Sequence, residues 1–147
     1  MNLFPSLINT CLFTGKIPVA PGTAGSIFAL MIWLSVSPSL ASMIVLLTLV
    51  ISLSYYTISF ELRNTNLKDP QHIVIDEAIG MWISLLFISS NDFINIILAF
   101  ILFRLLDILK PSIINRSQNI RGTGGILSDD IISGLITCMV FWGITSV

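Results

Sequence analysis

The chain has 147 residues, a length that fits one domain. Its composition excludes an ordinary soluble protein, because 54% of the residues are apolar and 10% are charged, against about 25% charged in a typical globular domain. The net charge is −1 and no basic stripe is present, which argues against a nucleic-acid partner. No charged residue lies between Lys16 and Glu61, so the composition predicts a protein whose solvent is a lipid bilayer.

Apolar runs, taken in chain order, predict an all-α, polytopic membrane protein. Residues 1–13 are apolar but short, and their periodicity leaves open whether they form an interfacial helix or a buried element. Residues 40–60 are long enough and free enough of charge to predict a transmembrane helix. Four shorter apolar runs complete the prediction, at residues 24–37, 78–90, 93–109 and 131–147. We expect about four to five membrane-embedded helices.

The basic residues predict the orientation of these helices. If every run crosses the membrane, the polar loops at residues 14–23, 61–77 and 110–130 share one face. Arg104 lies in the helix half that leads to the third loop, and the loops hold the other basic residues: Lys16, Arg63, Lys68, Lys110, Arg116 and Arg121. The turns around Pro38 and Asn91 carry no Lys or Arg. This asymmetry predicts that the polar loops face the cytoplasm.

A glycine-rich stretch, residues 121–130, precedes the last apolar run. Three glycines within four residues allow backbone N–H groups to approach an anion closely. Asp129 and Asp130 then stand at the predicted start of a helix, whose positive dipole end tolerates carboxylates. Backbone amides beside paired carboxylates suit metal-assisted phosphoryl transfer. The alternative is a flexible loop in which Asp129 caps the helix.

Carboxylates gather at three helix ends on the predicted cytoplasmic face. They are Asp76, Glu77, Asp107, Asp129 and Asp130. Such groups are costly in a membrane protein unless they are paired or coordinate a cation, and Mg²⁺ prefers oxygen ligands of this kind. The pattern therefore predicts a single carboxylate cage for one or two Mg²⁺ ions, with Arg104 on the same helix face as Asp107. The alternative is that each carboxylate caps a helix or pairs with a nearby lysine.

Three smaller features have a structural and a functional interpretation. Residues 21–26 offer backbone N–H groups and two hydroxyls at a helix start, which suits a phosphate, although an ordinary N-cap with glycines for close packing explains them as well. His72, the single histidine, is more often a solvated loop side chain than a general base. Cys11 and Cys138 are far apart in apolar surroundings, and we interpret both as packing residues.

Three separated stretches and the glycine-rich loop together resemble a known family. They are residues 18–26, residues 69–82 with Asp76 and Glu77, and residues 103–111 with Arg104 and Asp107, followed by Asp129 and Asp130. Their order, spacing and placement resemble bacterial phosphatidylglycerophosphatase A, and the resemblance extends from about residue 15 to about residue 134. The chain departs from the family in its glycine loop, where a glycine has moved and Ser128 replaces an apolar residue.

The resemblance implies a single integral membrane phosphatase domain over residues 1–147, in the bacterial inner membrane. It implies Mg²⁺-dependent hydrolysis of the terminal phosphomonoester of phosphatidylglycerophosphate, a membrane phospholipid, with the site facing the cytoplasm. The implied metal ligands are Asp76, Glu77, Asp107, Asp129 and Asp130. Catalytic roles fall to Glu77, Asp107, Asp129 and Asp130, with Asp129 or Asp130 also open as base or nucleophile. The implied substrate-binding residues are Lys16, Gly22, Thr23, Gly25, Ser26, Arg104 and Lys110.

Two other functions remain open from the sequence. A small transporter or channel subunit would place its ionisable residues along a path at mid-bilayer depth, whereas here they crowd at one end of the helices. An enzyme that transfers a phosphoalcohol group between lipids would space its aspartates along one helix, a pattern that the chain does not show.

Overall fold

The computed structural model describes residues 3–65, 70–111 and 122–145, and all regular structure in these ranges is helical. The elements in chain order are α1 (Leu3–Asn9), a 3₁₀ turn (Thr14–Lys16), α2 (Pro21–Val36), α3 (Leu40–Asn64), α4 (Ile75–Ser84), α5 (Phe93–Leu109) and α6 (Thr123–Thr145). The all-α prediction is confirmed for the described part of the chain. Three residues of the orientation argument, Lys68, Arg116 and Arg121, lie outside it.

Side-chain caps mark the starts of two helices, α5 and α3. α5 has the predicted bounds, and Asp92 caps its start by accepting a hydrogen bond from the Asn95 N–H at Oδ1 (3.2 Å). The side chain of Ser39 caps α3 in the same way, by accepting from the Ser42 N–H (3.3 Å). α3 continues to Asn64 instead of ending at residue 60, so Glu61 belongs to the helix and not to a loop.

Three other predicted boundaries were wrong. α2 begins at Pro21, three residues early, because proline is preorganised for the first helical position. α4 covers Ile75–Ser84 instead of residues 78–90. After Ser84 the hydrogen bonds join residues three apart, as in a turn: Leu85 N donates to Trp82 O (3.3 Å) and Leu86 N to Ile83 O (3.2 Å). α6 begins at Thr123 instead of Ile131. The predicted glycine loop is therefore helical from that residue onward.

α4 is the central helix of the described structure. It packs most extensively against α6, then against α2, and also contacts α3 and α5. Nine of its ten residues are buried, namely Ile75, Asp76, Ala78, Ile79, Gly80, Met81, Trp82, Ile83 and Ser84. A helix that is buried on every side needs no polar face, which explains the apolar composition of α4. Its ten residues extend only about 15 Å, about half the thickness of the bilayer's hydrocarbon core.

Two glycines bring α4 and α6 into close contact. A Cβ atom added to Gly134 would lie 2.5 Å from the backbone oxygen of Gly80. A Cβ atom added to Gly80 would lie 2.7 Å from the backbone oxygen of Asp130 and 2.6 Å from the Phe103 ring. Contacts this short exclude any side chain, so the two helix backbones touch at this crossing. Asp76 precedes Gly80 by one helical turn, and Asp130 precedes Gly134 by one turn.

Within the described residues, two helices are long and apolar enough to cross a membrane by length and composition. They are α3 and the Thr123–Gly143 part of α6, while α2 is apolar but shorter. Large apolar side chains are exposed along α3 and α5, including Leu49 (64%), Ile94 (74%) and Leu109 (73%). Exposed apolar surface of this extent marks a partner or a membrane. The number of embedded helices stays a prediction.

We predict that Gly134→Ala destabilises the fold by about 1–3 kcal/mol, because the new methyl group overpacks the crossing. Gly143→Ala is the matched control on the same helix, since a Cβ atom there meets nothing within 4 Å, and alanine favours a helix by about 0.5–1 kcal/mol over glycine. Thermal unfolding of the detergent-purified variants is the measurement. Equal midpoints for the two variants would contradict the close crossing.

Candidate active site

Three carboxylates meet where α4 and α6 approach each other. Asp76, Glu77 and Asp130 each offer an oxygen, and these oxygens lie within 4.8 Å of one another. Asp76 and Asp130 are buried, with 8% and 3% of their surface exposed. We call these three residues the acid cluster. Each has one buried oxygen for which the described residues provide no hydrogen-bond donor: Asp76 Oδ1, Glu77 Oε2 and Asp130 Oδ1.

Buried acceptors without a donor are costly unless a cation or water satisfies them. Three carboxylate oxygens at this spacing fit a hard divalent cation, which takes oxygen ligands and keeps some of its waters. Burial raises the pKa of Asp76 well above its usual range, and the charges of Glu77 and Asp130 raise it further. Burial also raises the pKa of Glu77, against a lowering contribution from its hydrogen bond with Asp76. The acid cluster therefore needs a proton or a cation to stay buried.

Arg104 and Asp107 form an ion pair at the end of α5. Arg104 Nη1 donates to Asp107 Oδ2 at 2.6 Å, and the same nitrogen lies 3.4 Å from Ser26 Oγ. The three-residue spacing puts both side chains on one helix face, as the sequence predicted. Asp107 is close enough to the acid cluster for its charge to raise the pKa of Glu77. The guanidinium is thus held beside the cluster by a carboxylate of its own.

Asp129 and Asp130 are neighbours in sequence but have different surroundings. Lys110 Nζ donates to Asp129 Oδ2 at 2.7 Å, while Asp130 belongs to the acid cluster. Lys110 follows α5 in the left-handed region at φ 43°. Partial burial lowers its pKa, but the hydrogen bond and charge of Asp129 outweigh this, so the net pKa is raised. Of the five predicted carboxylates, three therefore form the acid cluster, while Asp107 and Asp129 pair with cations and Asp107 also contacts Asp130.

The start of α2 covers the acid cluster. Gly22 is tightly packed there, because an added Cβ atom would overlap Glu77 Oε1 and lie 3.3 Å from Arg104 Nη2. The Ser26 hydroxyl donates to the Gly22 carbonyl (2.9 Å) and is fully buried beside Arg104. Gly22 and Thr23 lie in the first turn, where backbone N–H groups have no partner within the helix. This helix end can therefore donate to an anion held next to the cluster.

Two of the predicted phosphate-binding residues have other contacts in the structure, and their role in phosphate binding stays a prediction. A Cβ atom added to Gly25 would lie 2.8 Å from Val74 Cβ, so this glycine allows α2 to pack on the segment before α4. Lys16 is exposed, and its ammonium group lies 4.6 Å from the centre of the Phe13 ring. The glycine-loop prediction also changes, because Gly124 and Gly125 lie in the first turn of α6.

A partly buried polar network was missed by the sequence analysis. Asn9 Nδ2 donates to Glu61 Oε2 (2.5 Å), and Thr57 Oγ1 donates to Asn9 Oδ1 (2.6 Å). His72, a loop residue as expected with 36% of its side chain exposed, joins this network, since its Nε2 lies 2.5 Å from Glu61 Oε1. The Val74 N–H donates to the Asn9 carbonyl (2.8 Å). The network fixes the segment that leads into the acid cluster, and its sequence signal was the four-residue spacing of Thr57 and Glu61.

The packing interpretation of the two cysteines agrees with the structure. Both Cys11 and Cys138 are buried free thiols. Burial, with a contribution from the charge of Glu77, raises the pKa of Cys11 to about 12. A thiol with so high a pKa is not a nucleophile at neutral pH.

A helical structure, over the residues described, with a buried acid cluster, an arginine and a helix N-terminus at one place has the parts of a phosphate-handling enzyme site. Comparison with known proteins defines the class further. A sequence model of the phosphatidylglycerophosphatase A family matches residues 7–145. The chain belongs to this family, which is a family of lipid phosphatases.

Curated relatives cover most of this chain and most of their own length. A protein of Bacteroides thetaiotaomicron, provisionally named a phosphatidylinositol-3-phosphatase, is 35% identical over 141 residues (91% of this chain, 89% of the relative). Phosphatidylglycerophosphatase A of Escherichia coli is 35% identical over 133 residues (88% and 76%). The protein of that name from Haemophilus influenzae is 31% identical over 134 residues (89% and 82%). No solved structure matches the chain.

We predict that Arg104→Lys lowers phosphatase turnover at least about tenfold, because lysine cannot donate to Asp107 and reach Ser26 with one planar group. Arg63→Lys, an exposed exchange of the same kind at the end of α3, is the control and should keep full turnover. Both are measured by phosphate release from a lipid phosphomonoester in detergent micelles. Full activity of Arg104→Lys would exclude a role for the guanidinium fork.

Proposed function

We propose that this protein hydrolyses the terminal phosphomonoester of phosphatidylglycerophosphate to phosphatidylglycerol and phosphate. We place the reaction at the cytoplasmic face of the bacterial inner membrane. The observation that carries the proposal is the acid cluster, whose three donor-free oxygens lie beside Arg104 and the start of α2. Family membership and two relatives named for this activity support the choice of substrate.

We assign Asp76, Glu77 and Asp130 as the residues that would hold Mg²⁺. When bound there, the ion would supply a Lewis acid that neutralises phosphate charge and lowers the pKa of a coordinated water. This set is narrower than the five ligands that the resemblance implied. Asp107 and Asp129 instead have their own cationic partners, Arg104 and Lys110, so they hold those cations in place.

The remaining groups bind the phosphate. Arg104 presents a planar guanidinium to phosphate oxygens, and its ion pair with Asp107 keeps it from turning away. The N–H groups of Gly22 and Thr23 donate at the positive end of the α2 dipole. Lys110 adds positive charge on the α6 side of the cluster. Asp129, whose Oδ2 accepts from Lys110, holds this charge in place.

The lipid setting follows from the exposed apolar surface. Asp76 and Glu77 lie in the first turn of α4, Arg104 lies toward the end of α5 and Lys110 directly follows it, so these charged groups share one end of the bundle. Large apolar side chains are exposed along α3 and α5. We propose that these surfaces contact the bilayer, which would keep the acyl end of the substrate in apolar surroundings while the headgroup reaches the cluster.

A phosphoinositide is the second candidate substrate. The observation that favours it is the Bacteroides relative, which covers 91% of this chain at 35% identity. Both substrates are phosphomonoesters on a lipid headgroup, so the same cluster and arginine would serve either. A non-enzymatic transporter is a weaker candidate, because its ionisable groups would be expected along a path through the bundle.

The discriminating experiment is phosphate release by the detergent-purified protein from both lipids, with Mg²⁺ and with EDTA. Release from phosphatidylglycerophosphate that EDTA abolishes is the expected result. Faster phosphate release from a phosphoinositide would change the proposed substrate but leave the proposed active site unchanged. Release that EDTA does not change would remove the metal from the proposal, and no release from either lipid by folded protein would contradict the enzymatic function.

We predict that Asp130→Asn lowers turnover by about two orders of magnitude or more, because it removes one ligand of the proposed ion. It should also abolish a rise of thermal stability with Mg²⁺, which would reach about 2.7 kcal/mol at a hundredfold excess of the ion over its dissociation constant. Asp92→Asn is the charge-matched control, since Asp92 caps α5 at the other end of the bundle and asparagine caps a helix equally well. Retention of the Mg²⁺ effect in Asp130→Asn would contradict the assignment.

A further inference from the structure

An apolar groove of about 250 Å³ lies between α1, α2, α3 and α4. Its floor is formed by the buried residues Cys11, Ile75, Ala78 and Trp82. Its rim includes Leu12 and Leu53, which are 64% and 39% exposed. The groove therefore has a covered floor and an apolar edge that faces outward.

The polar atoms of the groove floor are turned away from it. Trp82 Nε1 donates to the Ala29 carbonyl at 2.8 Å, so the indole presents ring carbons. The Cys11 thiol lies 3.7 Å from the Val74 carbonyl, within reach of a weak sulfur hydrogen bond. A space lined in this way holds water poorly, because a buried water needs two to four polar partners. Hydrocarbon is the occupant that its chemistry suits.

The groove begins beside the acid cluster. Ile75 and Ala78 line it, and they are the residues that flank Asp76 and Glu77 on α4. Trp82 continues the floor two turns further along the same helix, about 10 Å from Ile75 at 1.5 Å per residue. The groove thus runs from the level of the charged groups along the apolar part of α4.

We propose that this groove holds one acyl chain of the lipid whose phosphate is hydrolysed, an inference that rests on the proposed function. The chain gains little free energy by leaving the bilayer, because lipid tails are as apolar as the groove. Its effect is on orientation: a chain held between α1 and α4 fixes the glycerol end of the lipid next to Glu77, and with it the position of the phosphate. The groove makes the enzyme select diacyl phosphomonoesters over soluble ones.

The test fills the groove from its rim and compares two substrates. Leu53→Trp places a larger side chain in the groove, and Leu49→Trp, an equal exchange on the same helix at a residue outside the groove lining, is the control. Each variant is assayed in micelles on long-chain phosphatidylglycerophosphate and on its deacylated, water-soluble headgroup. We expect Leu53→Trp to lose about tenfold or more of kcat/KM on the diacyl lipid and to keep wild-type turnover of the headgroup, and Leu49→Trp to change neither.

Each other outcome is decisive. An equal loss of kcat/KM on both substrates would mean that Leu53 supports the fold and does not contact the acyl chain. The smaller exchange Leu53→Phe, assayed in the same way, would confirm that result. Unchanged turnover of the diacyl lipid by Leu53→Trp would overturn the proposal and leave the groove to a bulk lipid of the bilayer. Absence of turnover of both substrates by the wild-type protein would instead contradict the proposed function, so the two failures are distinguishable.

Discussion

The backbone contact between Gly80 on α4 and Gly134 on α6 is the constraint on which the site depends. Asp76 and Asp130 each lie one turn before their helix's crossing glycine, so the separation of the two backbones sets the separation of the two carboxylates. A packed interior does not absorb an added methyl group without displacement. Any side chain at the crossing would move the helices apart and enlarge the space between the acids.

The crossing holds together groups that repel one another. Three carboxylates within 4.8 Å are a destabilising arrangement in a buried site. Burial raises the pKa of Glu77, and the nearby charge of Arg104 offsets this only in part. Arg104 and Lys110 pair instead with Asp107 and Asp129. The acid cluster therefore has no ion pair with Arg104 or Lys110, although both side chains lie next to it. Such an arrangement suits a divalent ion at the centre and an anion at the edge, as the proposed hydrolysis of a phosphate ester requires.

Features of the fold and the site could be predicted from the sequence where neighbouring residues determine them, and not where contacts between helices do. The bounds of α5 were predictable, because Asp92 caps a continuous apolar run. The start of α6 was not, because Gly124 and Gly125 are poor helix formers and contacts with α4 outweigh their propensity. The three carboxylates of the acid cluster were among the five that the sequence singled out. The division of these five into a cluster and two ion pairs was not predictable, because Asp129 and Asp130 differ only by the rotation of about 100° between successive helical residues.

That rotation has a functional consequence. Because neighbouring residues on α6 point in different directions, one aspartate can join the acid cluster while the other meets Lys110. α4 uses the same geometry in its first turn, where Asp76 and Glu77 face the cluster and Ile75 and Ala78 face the apolar groove. A lipid phosphatase must place charge and hydrocarbon within one headgroup length of each other. In this fold, two helical segments that each carry two consecutive acidic residues meet this requirement, because the glycine crossing sets the distance between them.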